Sequence, residues 1–442
     1  MSKLRPSNGQ IFLYSFFALP LAFAGLPLYV HAPDFYTREL GINIGLIGLI
    51  LLSVRLFDAV QDPIIGYISD KYGAKRYHIV FGGALMLILG MAAIFFGPQA
   101  FMPAGLWFAL SMILATTGFS IVTINLNMIG SFWHDSPSER TRISAWREAL
   151  ALVGLLIASV LPAALQSFKP AEEAFRIVFY VFGTVMIAGL IMFTRFMSRI
   201  SPGHMINKNT EKSGLSFFSI LRGPDSSFFM ICFLTHLAAA MPGVMVLFFI
   251  RDYLGAEALS GLFLFLYFIA GAALMPLWVK LAGKIGKEKA WLSSMILAVA
   301  TFMWTFGLQP GDTVSYAIIC VLSGMALGAD LALPPSILAD RINVVKRESE
   351  ATQYYALLAF IPKFAIAIAS GVSFLILDQL GFIAGADNSL TTLQGVIVLY
   401  ALVPCLIKLL AAYALWRSNI REGDYYAQLE NAQPNGRTYD VT

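Results

Sequence analysis

Charge is what this sequence has least of. Only 13% of its 442 residues are Asp, Glu, Lys or Arg, where a soluble domain carries roughly 25%. The shortfall runs the whole length, beside 58% hydrophobic residues and a mean hydropathy of +0.73. That combination excludes an ordinary soluble globule and predicts a polytopic membrane protein. Cysteine is scarce: Cys232, Cys320 and Cys405 all lie in apolar runs. An odd number so placed reads as packed thiols, with no disulfide framework. The five histidines are scattered and no Cys/His set has metal spacing, so an integral membrane enzyme would lack its catalytic cluster. No Gly-xxxx-Gly-Lys-Ser/Thr loop occurs and no soluble domain fits, which excludes ATP coupling. A net charge of +4 requires no nucleic-acid partner. No cofactor is implied. A cleaved signal peptide is not expected, because the first apolar run is long enough to span and no small-residue cleavage site follows it.

What is there instead is a series of long apolar runs. A spanning helix needs about 20 mostly apolar residues. Such runs number twelve: 10–31, 43–69, 77–97, 103–133, 142–166, 174–197, 226–250, 257–281, 290–309, 314–338, 350–377 and 392–416. The longest polar stretch separates the sixth from the seventh. The expected organisation is an N-terminal six-helix bundle over 1–198, a cytoplasmic central loop at 199–224, a second bundle over 225–416, and a short polar tail at 417–442. Placing both termini in the cytoplasm leaves only Arg38, Lys169, Arg176 and Arg251 outside. Arg55, Arg147, Lys363 and Lys408 fall within spans, and every other Lys and Arg falls inside, as the basic-residue rule requires. The compact loops suit a bacterial inner membrane. The expected partners are the bilayer and a small-molecule solute, with the protein itself a monomer.

The six-and-six division invites a search for repetition. The loop after the second span reads DKYGAKR (Asp70–Arg76), and the loop after the eighth reads GKIGKEK (Gly283–Lys289). Both place Lys second and Gly fourth, and both begin seven residues after a proline, Pro63 and Pro276. Duplicated halves of this kind bind solute near the midplane and alternate access by rocking against each other.

The charges inside the spans carry the functional argument. Arg55, Asp58 and Asp62 fall at i, i+3 and i+7 of the second span and share one helical face. Each costs roughly 2.5–3.5 kcal/mol at mid-membrane, so all three must face a cavity or one another. One reading is an ion cluster that only holds helices together. The other is a coupling-cation site, where two carboxylates supply hard oxygen ligands for Na⁺ or share a proton. Lys363 stands near the middle of the eleventh span, too deep to reach either interface. Its ammonium can pair with Asp58 or Asp62 and be displaced by the incoming cation. Asp330 is the one acid well inside the tenth span, with a packing hydrogen bond and a substrate or gating role both open. Arg147, near the cytoplasmic end of the fifth, can snorkel or serve the site, with Glu148 beside it as a neighbour or gate. Lys408 in the twelfth span is expected to snorkel inward. His31 and Asp34 close the first span on the outer side, where an ordinary loop entry is expected and an outer gate or cavity rim is the alternative, and His236 is a lone polar contact.

Several of these stretches resemble a known family. Gly66-xxx-Asp70-Lys71-x-Gly73-x-Lys75-Arg76 resembles the cytoplasmic loop motif of the major facilitator superfamily, where the aspartate pairs with helix ends and basic side chains to latch one access state. FYTRELGINIGLIGLILLSVRLFDAVQDPIIGYISD is similar to the start of the glycoside–pentoside–hexuronide:cation symporters, the melibiose-permease-like family. SERTRISAWREALALVGLL and LLAFIPKFAIAIASGVSFLIL resemble later landmarks of it. The resemblance implies an all-α fold of twelve transmembrane helices in two pseudo-symmetric halves. It implies cation-coupled symport of a small organic solute, with Asp58 and Asp62 holding Na⁺ or a proton, Arg55 balancing a carboxylate, Arg147 touching solute, and Lys363 near both sites.

Three departures bear on the solute. The family often has Asn before the second aspartate, where this chain has Gln61. Its sugar permeases carry an acid in the first helix, where Ala22 stands here, and another in the fourth, where Phe101 to Trp133 contains none. The expected pocket therefore has amide and cationic groups, Asn125, Asn127, Arg147 and Lys363. A sugar or sugar derivative is the leading solute. A lysolipid, another amphiphile or an organic anion is the alternative.

Overall fold

The computed structural model describes residues 5–72, 75–98, 102–134, 137–199, 220–223, 225–344 and 351–432, which hold helices and turns and no strand. Among the described residues, eleven helices are long and apolar enough to cross a membrane. In order they include the second span Ile44–Lys71, third Arg76–Phe95, fourth Ala104–Phe132, fifth Pro137–Gln166 and sixth Ala171–Met197. The second six include the eighth span Ser260–Ile285, the tenth Thr313–Val344 and the eleventh Ala351–Gln379. The ninth helix, Lys287–Thr305, begins Lys-Glu-Lys, and that charged turn leaves it a shorter apolar stretch than the others. It packs along the tenth and twelfth spans all the same.

The first and twelfth spans are each interrupted by a π-helical turn, at Pro27–His31 and Val398–Leu402, and the seventh ends in one, at Phe249–Tyr253. Such turns bend a helix and re-aim its side chains, often at functional positions. The first span runs Asn8–Ser15, Ala18–Leu26 and then Ala32–Arg38, beyond its expected end at residue 31. His31 and Asp34 are therefore helical, not the loop entry expected of them. The seventh is Ser226–Phe248 and the twelfth is Leu390–Ile397 followed by Val403–Ala432. Its helix continues past the expected end at 416, while 433–442 and most of the expected central loop, 200–219 and 224, lie outside the described residues.

Packing within each group of six relies on small residues, since lipid supplies no hydrophobic drive for helix association. A Cβ on Gly154 would lie 2.1 Å from the Leu19 carbonyl, and one on Gly324 would lie 2.1 Å from that of Tyr267. The fifth span thus lies backbone to backbone on the first, and the tenth on the eighth. Between the two groups, the second span packs on the eleventh and the fifth on the eighth. There Gly48 meets the Phe374 Cβ and Gly261 meets Ala163.

Candidate functional site

The second span delivers its charges to two different environments. Arg55 and Asp58 are buried, 7% and 1% exposed, with Arg55 Nη1 at 3.5 Å from Asp58 Oδ2. The Arg55 guanidinium also lies 3.8 Å over the ring of Tyr29, a cation–π contact strengthened by desolvation. Asp58 Oδ1 accepts from Gln61 Nε2 at 2.6 Å, and Gln61 Oε1 accepts from Thr117 Oγ1 at 2.8 Å. One turn on, Asp62 Oδ2 is paired with Lys363 Nζ from the eleventh span. Lys363 also donates to Ser120 Oγ at 3.3 Å, while Asp62 Oδ1 is buried without a partner. Carboxylate, amide and hydroxyl oxygens thus gather around Asp58 and Asp62, a donor set that suits a hard monovalent cation. Among the described residues no group of three His, Cys, Asp or Glu forms a further metal site.

A second buried pair lies in the last six helices. Asp330 Oδ2 is paired with Lys408 Nζ, and Asp330 Oδ1 accepts from Trp291 Nε1 at 2.9 Å. Lys408 does not snorkel as expected: its side chain is 8% exposed and points to Asp330. A neutralising carboxylate at the same depth removes the reason to reach the interface.

Beside this second pair lies a cavity of about 400 Å³, bounded by the first and fifth spans and by all six helices from the seventh to the twelfth. Its only formal charges are Asp330 and Lys408, with His236 as a titratable neighbour. Tyr29 lines it and carries Arg55 on its ring. Asp62 and Lys363 stand outside this lining, although Pro362 is in it. At ~1.5 Å per residue from the expected inner helix ends, Asp62 lies about 10 Å deep, Lys363, His236 and Lys408 about 15 Å, and Asp330 about 18 Å.

The expected solute contacts divide. Arg147 Nη1 donates to Asn127 Oδ1 at 2.5 Å and Nη2 to Glu148 Oε1 at 2.7 Å, forming a group on the fourth and fifth spans. Glu148 is Arg147's own partner here and its side chain is 67% exposed. Asn125 is fully buried, donating to Ser69 Oγ at 2.9 Å and to the Ile121 carbonyl at 2.8 Å. It ties the fourth span to the second and does not face the cavity, a correction that follows from which side of the helix it occupies. None of Asn125, Asn127 and Arg147 lines the 400 Å³ cavity.

The loop motif is only partly described. Gly66 and Lys71 lie on the last turns of the second span, Lys71 exposed, and Arg76 is buried with Nη2 on the Ser69 carbonyl at 3.3 Å. The side chain of Asp70 and all of Gly73 lie outside the described residues. At the other end, Arg251 Nη1 donates to Asp34 Oδ1 at 2.6 Å and grips both oxygens of Asp252 at 2.8 and 3.1 Å. Arg38–Glu257 and Asn43–Asp378 join the same two groups of helices beside it. Sequence reasoning weighs Gln61 as a departure only, sets Lys408 aside, and does not single out Tyr29, Thr117, Ser120, Trp291 or Arg251. A lone lysine deep in an apolar run is the available signal for Lys408.

Long apolar helices, buried charges that are paired with one another and a cavity between two groups of six are the features of a multi-pass membrane transporter. The chain belongs to the family described as "MFS/sugar transport protein", which it matches over residues 11–422. It is 23% identical over 401 residues to the Glucuronide carrier protein homolog of Escherichia coli (strain K12), covering 87% of this chain and 86% of that one. It is 24% identical over 422 residues to the Isoprimeverose transporter of Lactiplantibacillus pentosus, covering 90% and 85%. The crystal structure of nucleoside transporter NupG superposes with a TM-score of 0.68 at 14% identity, covering 93% of this chain and 99% of that one. The architecture is accordingly the major facilitator fold, and the protein is a transporter, not an enzyme.

Proposed function

We propose that this protein is a cation-coupled symporter of a small organic solute, a sugar derivative, working as a monomer by alternating access. Its place is a bacterial inner membrane with both termini in the cytoplasm. The observation that carries the coupling is the Lys363–Asp62 pair, which joins the last six helices to the first six and leaves Asp62 Oδ1 unpartnered beside Asp58. Na⁺ or a proton at Asp58 and Asp62 substitutes for the lysine's charge, releasing Lys363 as the halves move. Arg55 remains to balance Asp58 when the cation leaves. The relatives' names, a glucuronide carrier homolog and an isoprimeverose transporter, support a sugar derivative as solute.

The test is the thermal stability of purified protein titrated with Na⁺, Li⁺, K⁺ and pH. A ligand that binds the folded state raises its apparent stability by mass action. A Na⁺-dependent rise lost in Asp58→Asn establishes sodium coupling at this site. A pH response alone, lost in the same variant, establishes proton coupling. Cation responses unchanged by Asp58→Asn and Asp62→Asn would sink the assignment.

A further inference from the structure

We propose that the Lys408–Asp330 pair is the recognition end of the solute cavity, and that the solute is an organic anion with an apolar body. The inference rests on the transporter reading and departs from it in the solute, putting an acid group on an apolar body where that reading has a polyhydroxylated sugar derivative.

Both oxygens of Asp330 are engaged, one by Lys408 and one by Trp291 at 2.9 Å. The Lys408 ammonium has three donors, and Asp330 is its one partner among the described residues. Lys408 is 94% buried, its residue exposure being 6%, and it lines the cavity. A buried ammonium with three donors, held by a single carboxylate oxygen, is short of acceptors. An anionic group entering the cavity supplies one through a charge-assisted bond.

The rest of the lining sets the body of the solute. Apart from Lys408, Asp330 and His236 it is made of aliphatic and aromatic side chains and a few hydroxyls. Three of those five hydroxyls are engaged: Tyr316 and Tyr400 bond each other at 2.6 Å, and Ser323 donates to the Ile319 carbonyl at 2.6 Å, which leaves Tyr29 and Tyr267. A polyhydroxylated body would surrender its water contacts here with few replacements. His236 Nδ1 faces the Cys232 carbonyl at 2.7 Å, and since a carbonyl only accepts, the proton sits on Nδ1. Nε2 is left for one solute hydroxyl. The cavity thus offers a cation at one point, one ring nitrogen, and an apolar remainder.

The decisive experiment uses a matched pair of probes, 2-naphthaleneacetate and its neutral amide, with the full chain purified in neutral detergent. The carboxylate is expected to raise the apparent melting temperature at concentrations about tenfold or more below those at which the amide acts. Lys408→Gln is expected to erase that preference. Because it leaves Asp330 buried and unpaired, the double variant Asp330→Asn/Lys408→Gln is measured beside it. That variant removes both charges together, and it should melt normally without distinguishing the probes. Equal shifts from the two probes, no shift from either, or a preference that survives in the double variant would overturn the proposal. Coupling is read separately. Anion binding without any cation response keeps this cavity and removes the symport reading. A cation response with indifference to probe charge does the reverse.

Discussion

Two lysine–aspartate pairs lie inside the helical spans of this molecule, and they differ in what they join. Lys363–Asp62 ties the eleventh span to the second, one from each group of six. Lys408–Asp330 ties the twelfth to the tenth, both in the same group, with Trp291 of the ninth holding the carboxylate from behind. Rocking of one group against the other must break the first pair and can leave the second intact. The first is also the wetter, its side chains 27% and 22% exposed against 8% and 10%. A pair that must come apart needs water or a cation at hand to receive its charges, because stranding either in a dry interior is too costly. A pair that stays together can be dry. Under the two proposals, the contrast separates two tasks carried by the same chemistry: exchange of partners at Asp62, and standing recognition at Lys408.

The comparison is broken most severely at Asp62. Asp62→Asn removes the exchangeable charge and strands Lys363, so gradient-driven accumulation in proteoliposomes should fall to background while solute exchange persists. Full concentrative uptake by that variant contradicts the partner-exchange account. The contained pair predicts a stability effect instead. Lys408→Ala should cost about 3–5 kcal/mol by leaving a buried carboxylate unpaired, whereas removing both charges should be nearly neutral. Chemical denaturation of the two variants reads the difference, and equal losses would mean that the pair's geometry, not its charge balance, supports the fold.

The smallest expected effect lies at the other end of the molecule. Arg251 holds Asp34 across the two groups and Asp252 within its own, and Asp252 Oδ1 also accepts the Gly385 N–H at 2.8 Å. This clasp opens whenever the expected outer side opens. Arg251→Gln should shift the population toward that state, seen as severalfold faster labelling of a cysteine placed at Ala163, which packs on Gly261 at the closed face. The three natural cysteines are buried and give a low background. Unchanged labelling would show that the clasp contributes nothing to which state is populated.

Much of this is legible in the residues. Long apolar runs must be helices in a bilayer because no water is there to satisfy a bare backbone, so span positions follow from composition. The charges that interrupt those runs have to be paired, and that requirement alone singles out Arg55, Asp58, Asp62, Asp330 and Lys363. What the residues do not reveal is orientation. Asn125 and Asn127 are two residues apart, and that spacing turns one into a helix–helix contact and the other toward Arg147. Snorkelling is the natural expectation for Lys408, because nothing in its neighbourhood along the chain can neutralise it; Asp330 is 78 residues away. The first span outruns its expected end because a π turn and an N-terminal helical position accommodate Pro27 and Pro33.

By itself the sequence determined that this chain spans the membrane many times, repeats its architecture, and buries a small set of charges that cannot stand alone. Hydrophobic length and the cost of unpaired charge are local properties, readable one residue at a time. Only the tertiary structure decided that Asp62 answers to Lys363 and Asp330 to Lys408, and that the cavity opens on the second pair. Partner choice depends on how each helix is rotated about its axis and which distant helix it meets, and that is settled by the packing of all of them together.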